Sequence, residues 1–276
     1  MSLTIKRLGD DHAPQLRQLI EQFPIRHSLV ASRLEVLGAR AVTLQGFLGA
    51  FDGNQLHSAL MLGANIVPIN TTHESRQYFA NEIVSLRERC MSLLGQQEEV
   101  LDLWSMLEPA WGSAREVRAK QPFFSLGEGS HIRVDADVRY STLADLDILF
   151  PACVAMFTEE VGISPVANSP WAYRNRVGEL VSNRQSFIKS DGDVVIFKAE
   201  VGSIGNGVAQ LQGVWVNPLY RGRGIAAPAI AGVVRYVLQD LASVVSLYAN
   251  VYNTYALAAY RRVGFEQTDT FATVLL

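Results

Sequence analysis

An α+β fold in two successive units is the class this sequence predicts, each unit a mixed, mostly antiparallel sheet flanked by helices. Three observations carry that reading. Apolar residues recur at helical spacing in several separate segments, and short apolar or β-branched runs lie between them, some joined by Asp-Gly turns. The order strand, helix or helices, hairpin strands, helix, strand, helix, strand can also be followed twice along the 276 residues. At roughly 150 residues per domain, this gives a unit over 1–126, a linker over 127–136 and a unit over 137–276, as a duplication with one diverged copy would.

In the first half, Leu3 to Arg7 reads as a short strand. Asp10 or Asp11 suits the N-cap of a helix in which Leu16, Leu19, Ile20 and Phe23 form one apolar face. Val42 to Phe51 and Leu56 to Pro68 read as strands around the turn Asp52-Gly53-Asn54, a hairpin signal. A polar helix follows over Thr72 to Arg89, then a short run from Met91 to Leu94. Val100, Leu103, Trp104 and Leu107 make a further helical stripe. Ser125 to Ser130, with two glycines, two serines and no periodicity, reads as the start of the linker.

The second half begins with a strand near Val138 to Ser141 and a helix whose face is Leu146, Leu149, Phe150, Cys153, Val154 and Phe157. A polar bend over Thr158 to Gly162 ends that helix, and another spans Pro170 to Leu180. Ser186 to Lys189, Val194 to Val201 and Val208 to Val216 read as three antiparallel strands, joined by the turn Asp191-Gly192-Asp193 and a glycine-rich turn over Gly202 to Gly207. Residues 225–241 are a helix, with Ile230, Val233, Val234, Val237, Leu238 and Leu241 in period and Pro228 in the tolerant first turn. A strand from Val244 to Val251, a helix from Thr254 to Arg262 and a strand from Phe265 to Leu275 complete the series.

Composition narrows the function. With 24 Lys+Arg against 27 Asp+Glu and a net charge of −3, the chain lacks the basic signature of a protein held to nucleic acid by phosphate neutralisation. Hydrophobic residues make up 49% and charged ones 18%, which excludes general disorder. Cys90 and Cys153 are too few for a disulfide framework, and no Cys/His cluster suggests a metal. The most apolar stretch, Ile225 to Val234, is far too short for a membrane span. A soluble, cytoplasmic protein is expected, with no metal, no nucleic acid and no membrane partner. Oligomeric state is not legible, and a homodimer stays open.

The chemistry lies in Val214-Trp215-Val216-Asn217-Pro218-Leu219-Tyr220-Arg221-Gly222-Arg223-Gly224-Ile225-Ala226-Ala227. A strand runs through a short loop into the most regular helix of the chain. The first N–H groups of that helix lack internal partners and carry the positive end of its dipole. Gly222 and Gly224 let an anion approach, and Arg221 and Arg223 add charge, which together describe a phosphate cradle. No GK[ST] or GxGxxG accompanies it, so neither a Walker loop nor a dinucleotide fold is indicated. A glycine turn with solvated arginines is the plainer alternative. One strand later Asn253 opens a short helix, and Tyr260 follows seven residues on, two turns away on the same side. Asn253 also suits an N-cap, and Tyr260 also suits a core position.

Arg221-x-x-Gly224-x-Ala226, followed by Asn253 and Tyr260-Arg261-Arg262-Val263-Gly264-Phe265, resembles the two motifs of the GNAT (Gcn5-related) N-acetyltransferases over residues 137–276. The whole chain resembles actinobacterial tandem members with a degenerate first unit, a likeness shared by Thr158 to Gly162 and by Arg115-Glu116-Val117-Arg118-x-x-Gln121-Pro122. The resemblance implies acetyl-CoA as acyl donor and an amine as acceptor, joined by direct attack in one ternary complex. It implies that Val214, Trp215 and Val216 pair with the pantetheine arm as an added strand would. The amides of Gly222, Arg223, Gly224, Ile225, Ala226 and Ala227 would hold the diphosphate. Asn253 matches the cofactor-contacting asparagine and Tyr260 the proton-donating tyrosine.

No imidazole is at hand for the base, because His12, His27, His57, His73 and His131 all precede the intact unit. Some relatives use a glutamate where Tyr248 stands here. Glu160, with Glu159 beside it, lies where this fold lines its acceptor groove, although an adjacent acidic pair at a helix end also reads as solvated surface. A non-catalytic acyl-CoA-binding module is the competing reading. In the first half the residues after Pro68 are Ile69-Asn70-Thr71-Thr72-His73-Glu74, with no glycine pair, so that half is expected to bind no CoA. The acceptor's identity is not legible.

Overall fold

The computed structural model describes residues 3–38, 44–86, 90–167 and 169–276. The chain forms β1 (Thr4–Arg7), α1 (Ala13–Glu21), α2 (Ser28–Gly38), β2 (Phe47–Asp52), β3 (Gln55–Met61), β4 (Asn65–Ile69), α3 (His73–Leu86), β5 (Ser92–Gln96), α4 (Gln97–Trp111) and β6 (Glu116–Leu126). The same order then recurs as β7 (Arg139–Tyr140), α5 (Leu146–Val161), α6 (Pro170–Ser182), β8 (Ser186–Asp191), β9 (Val194–Gly205), β10 (Val208–Val216), α7 (Ala226–Asp240), β11 (Val244–Tyr248), α8 (Thr254–Val263) and β12 (Glu266–Leu275).

The pairings repeat as well. β1/β2, β2/β3 and β3/β4 are antiparallel and β4/β5 is parallel. In step with them, β7/β8, β8/β9 and β9/β10 are antiparallel and β10/β11 is parallel. Matching order and matching strand sense are what a duplicated unit produces.

The two compact units are not contiguous in sequence. The first contains Met1–Phe124, Tyr248–Asn253 and Gln267–Leu276, and the second contains Ser125–Leu247 and Thr254–Glu266. The last strand of the chain thus belongs to the first unit, where β12 runs antiparallel to β5 with Phe271 opposite Gln96. The expected linker is a packed connector of the second unit. Within it Ser130 Oγ donates to the Val263 carbonyl at 2.6 Å and Asp135 N–H donates to the Pro228 carbonyl at 3.0 Å.

In the first unit the sheet is covered on both faces. Leu16, Leu19, Ile20 and Val30 meet Phe47 and Phe51 on one side, while Phe79, Ile83, Leu103 and Trp104 meet Leu48, Leu60 and Val274 on the other. In the second unit Leu149, Cys153 and Met156 of α5 and Val177 and Val181 of α6 pack on Ile188, Val195 and Trp215. Each such side chain removed from water contributes about 1.5–3 kcal/mol.

Several boundaries differ from expectation, for local reasons. Asp10 and Asp11 lie in a 3-10 turn, so α1 begins at Ala13 with no side-chain cap, and Phe23 falls beyond it, 44% exposed. The run Leu56 to Pro68 is two strands, because the chain reverses between Met61 and Asn65 to pair β3 with β4. Thr158 to Val161 remain helical, and Gly162 ends α5 in the left-handed region at φ 77°. Its buried face is Leu149, Ala152, Cys153 and Met156. β9 continues through Gly205, and the turn is the pair Asn206-Gly207, both at positive φ. Only Arg139–Tyr140 of the expected first strand of the second half is paired. The strand expected to reach Val251 stops at Tyr248. Of the expected strand from Val42 and helix to Arg89, residues 42–43 and 87–89 lie outside those described. α2 and β6 leave no clear periodic signal in the sequence. α2 has weak sidedness, and the first half of β6 is largely polar and exposed.

Candidate active site

The site is built on the second unit, where β10 passes into α7. Parallel pairing with β11 joins Val208, Ala209 and Gln210 to Val244, Val245 and Ser246, and no further rung joins the two strands among the described residues. β10 stays bound to β9 on its other side, with Trp215 opposite Lys198 and Val216 opposite Phe197. Val214 to Val216 therefore carry backbone groups on an edge that β11 has left.

Residues 217–225 then link β10 to α7. Asn217 holds the turn, its side-chain oxygen accepting from the Leu219 N–H at 3.1 Å and its amide donating to the Val195 carbonyl at 3.1 Å. Gly222 and Gly224 take φ of 74° and 73°, and a Cβ on either would meet nothing within 4 Å. Backbone conformation, not crowding, is what calls for glycine here. Ile225, at the N-cap of α7, makes no side-chain cap hydrogen bond, and the first turn holds no acidic residue. The uncapped amides of Ala226 and Ala227 and the exposed loop before them offer N–H groups and a positive dipole end to an anion.

The two arginines are already engaged. Arg221 donates from Nε to the Val216 carbonyl at 3.0 Å and from Nη2 to Glu159 Oε2 at 2.7 Å. Arg223 donates to the Leu219 carbonyl at 3.0 Å and stacks over the Tyr220 ring. Trp215 Nε1 also donates to Glu159, at 3.2 Å. The Arg221 guanidinium in the first place, aided by Trp215, holds the Glu159 carboxyl below the ordinary carboxylate range. That environment suits a fixed anion and opposes the role of a base.

Tyr260 is on α8, 6% exposed, with its ring edge-on to Phe265 at 6.1 Å. Burial raises the pKa of its phenol, and the charge of Glu160 raises it further. Tyr173 is raised chiefly by burial, then by Cys153 and Glu200, with Glu160 adding a smaller push. Glu160, exposed in the last turn of α5, thus acts electrostatically on the phenol of Tyr260. Asn253 is exposed, immediately before α8, in the segment grouped with the first unit; its N–H donates to the Asn250 carbonyl at 2.9 Å.

Sequence reasoning missed a polar cluster beneath β10. Lys198 and Glu200 of β9 are 0% and 6% exposed and form an ion pair, and Cys153 Sγ lies 3.5 Å from Glu200 Oε1. Desolvation, the largest single effect, lowers Lys198, but the charges and hydrogen bonds of Glu200 and Cys153 together outweigh it and raise the ammonium pKa. The legible signal was two charges at i and i+2 within the apolar run Val194 to Val201, which share one face of a strand. Among the described residues, no group of three or more His, Cys, Asp or Glu side chains is placed to hold a metal, and no helix is long and apolar enough to cross a membrane.

Residues 158–265 match the acetyltransferase (GNAT) family, and residues 46–149 match a domain of unknown function (DUF4081). A GCN5-related N-acetyltransferase from Sphaerobacter thermophilus is similar over 98% of this chain and 94% of its own, at 13% identity and a TM-score of 0.63. A GNAT-family acetyltransferase from Colwellia psychrerythraea is similar over 99% of both chains, at 12% identity and 0.57. A tandem GNAT protein from the clavulanic acid biosynthesis pathway is similar over 99% of this chain and 98% of its own, at 13% identity and 0.56. At such identities the likeness is one of fold, and it spans the whole chain. No curated protein matches it.

Proposed function

We propose that this chain, which carries a GNAT acetyltransferase domain over residues 158–265 on a tandem GNAT fold, transfers an acetyl group from acetyl-CoA to a primary amine. The family match over residues 158–265 supports acyl-CoA-dependent acyl transfer as the coarse reading. The finer reading is carried by one observation: an uncapped helix N-terminus, a strand edge released by β11 and a buried phenol under the influence of a carboxylate belong to the same unit.

Acetyl-CoA supplies an activated thioester. The amides of Gly222, Arg223, Gly224, Ile225, Ala226 and Ala227 fit its diphosphate, since no side chain caps the helix and no Cβ narrows the loop at the two glycines. The edge of Val214, Trp215 and Val216 fits an amide-bearing arm laid alongside as a strand. Asn253 is assigned a cofactor contact. Arg221, bonded to Glu159 and to the Val216 carbonyl, ties the loop to α5 and to the end of β10.

Glu160 takes the proton that a protonated amine must lose before its nitrogen can attack. As the C–N bond forms and the C–S bond breaks, Tyr260, kept protonated chiefly by burial, donates its hydroxyl proton to the departing sulfur and regains a proton from the nitrogen of the new amide. Holding both reactants in a single complex supplies the remaining advantage through proximity. Incubation with acetyl-CoA, a mixed amine panel and a thiol reagent tests the reading, with amine-dependent thiol release expected. Tight CoA binding without release on any amine would instead establish a binding module.

A further inference from the structure

Lys198 and Glu200 take no part in the reading above, yet they are among the most deeply buried charged groups of the chain. Withdrawing two charges from water costs several kcal/mol for each ion, and a well-packed apolar pair is often as stable or more so. Stability alone therefore does not account for them, whereas their placement in the sheet does suggest a role.

On β10, Gln212 lies opposite Glu200 and Trp215 lies opposite Lys198, so the extra residue of a β-bulge falls between the two rungs that the ion pair occupies. Such a bulge leaves a residue unpaired and re-aims its backbone groups. Gly213 sits in it at φ 55°, in the left-handed region. A Cβ there would come within 2.9 Å of Met156 Cε, 3.1 Å of Lys198 Nζ and 3.4 Å of Glu200 Oε2. The ion pair thus packs directly against the Gly213 backbone. Its carboxylate also accepts from Cys153 Sγ and, at 3.5 Å, from Gln212 Nε2. Val214, the next residue, begins the edge assigned above to the donor's arm.

We propose that Lys198 and Glu200 are positioning residues, a buried clamp that spans the bulge and holds the Gly213 and Val214 backbone in register with the transfer site. The proposal rests on the transferase reading, because it assigns the bulge to the reacting end of the donor. Neither residue needs to touch a substrate.

The test compares Glu200→Gln, Lys198→Met and the double variant Lys198→Met/Glu200→Leu, which removes both charges and leaves neither orphaned. Each single variant is expected to lower kcat about tenfold or more on the best amine of the panel, while the Kd for CoA stays within about threefold. The double variant should recover thermal stability without recovering kcat. Amide hydrogen exchange, which needs no activity, should quicken about tenfold or more over Gly213 to Val216 in the double variant while the rest of β9 and β10 is unchanged. A double variant with wild-type kcat, or with unaltered exchange at the bulge, overturns the clamp. A wild-type protein that releases no thiol overturns the transferase reading instead, and the exchange result then still decides whether the pair holds the bulge.

Discussion

Arg221 Nη2 donates to Glu159 Oε2 at 2.7 Å, and that bond ties the glycine loop to the last turn of α5. With Trp215 on the same oxygen at 3.2 Å, Glu159 is committed as an anion, while the charge of its neighbour Glu160 adds to the effect of burial on the Tyr260 phenol.

Glu159 and Glu160 should therefore separate in kinetics. Glu160→Gln is expected to lower kcat by about 10²-fold or more and to abolish the acidic limb of the pH–rate profile. Glu159→Gln should keep both the rate and the limb. Its effect on CoA affinity should stay within about fivefold, because the pair is half exposed and such pairs contribute 0–1 kcal/mol. Loss of the acidic limb in Glu159→Gln alone would move the base to that residue.

Tyr260→Phe removes the hydroxyl assigned above as proton donor and leaves the ring against Phe265. Turnover should fall about tenfold to a hundredfold with an unchanged Kd for CoA. The raised phenol pKa keeps the donor form intact through the ordinary tyrosine range, so the wild-type rate should hold to high pH. A matched loss of CoA affinity in the variant would mark Tyr260 as a binding group.

Gly224→Val tests the cradle. The space around Gly224 is open, so the fold should accommodate the added bulk and the cost should come from backbone conformation alone, a fall in Tm of about 2–8 °C. The loop must still leave its φ of 73°, a conformation that costs an L-residue about 1–2 kcal/mol. CoA affinity should drop about tenfold or more by calorimetry. Unchanged affinity would place the diphosphate elsewhere.

One CoA per chain is the expected stoichiometry. The counterpart of the cradle in the first unit is closed by its own side chains: only residues 70–72 join β4 to α3. There Ser75 Oγ accepts from the Thr72 N–H at 2.9 Å, Thr72 Oγ1 accepts from the Ser75 N–H at 3.2 Å, and Glu99 accepts from the Thr71 N–H at 2.8 Å. Titration with CoA that saturates at two per chain would refute this.

His27 should make stability pH-dependent. Burial, chiefly, lowers its pKa from 6.5 to about 4, with Nε2 2.8 Å from Asn70 Oδ1. The unfolded chain binds the extra proton between those values, so the stabilisation is complete above about pH 6.5 and is lost as pH falls through 4. The full effect is about 3 kcal/mol. Urea unfolding of His27→Gln should show a flatter slope across that window, and an unchanged slope would assign it to other groups.

The parts legible beforehand were those written in short stretches of chain. The cradle lies within a dozen residues, where a strand, two glycines and an amphipathic helix follow one another, and the spacing of Asn253 and Tyr260 is set by a single helix. α2 escaped notice because its apolar residues do not gather on one side, and β6 because its exposed half reads as loop.

By itself the sequence determined the order of elements, the α+β class and the position of the glycine loop before α7, because helix period, turn chemistry and glycine's access to positive φ all act locally. The tertiary structure alone decided which of two adjacent glutamates meets an arginine, since continuing α5 through Val161 turns neighbouring side chains about 100° apart. It also decided that Lys198 and Glu200 meet under a bulge, and that the final strand joins the first unit. Those outcomes depend on strand register and on pairings between residues far apart in sequence, for which local pattern carries no code.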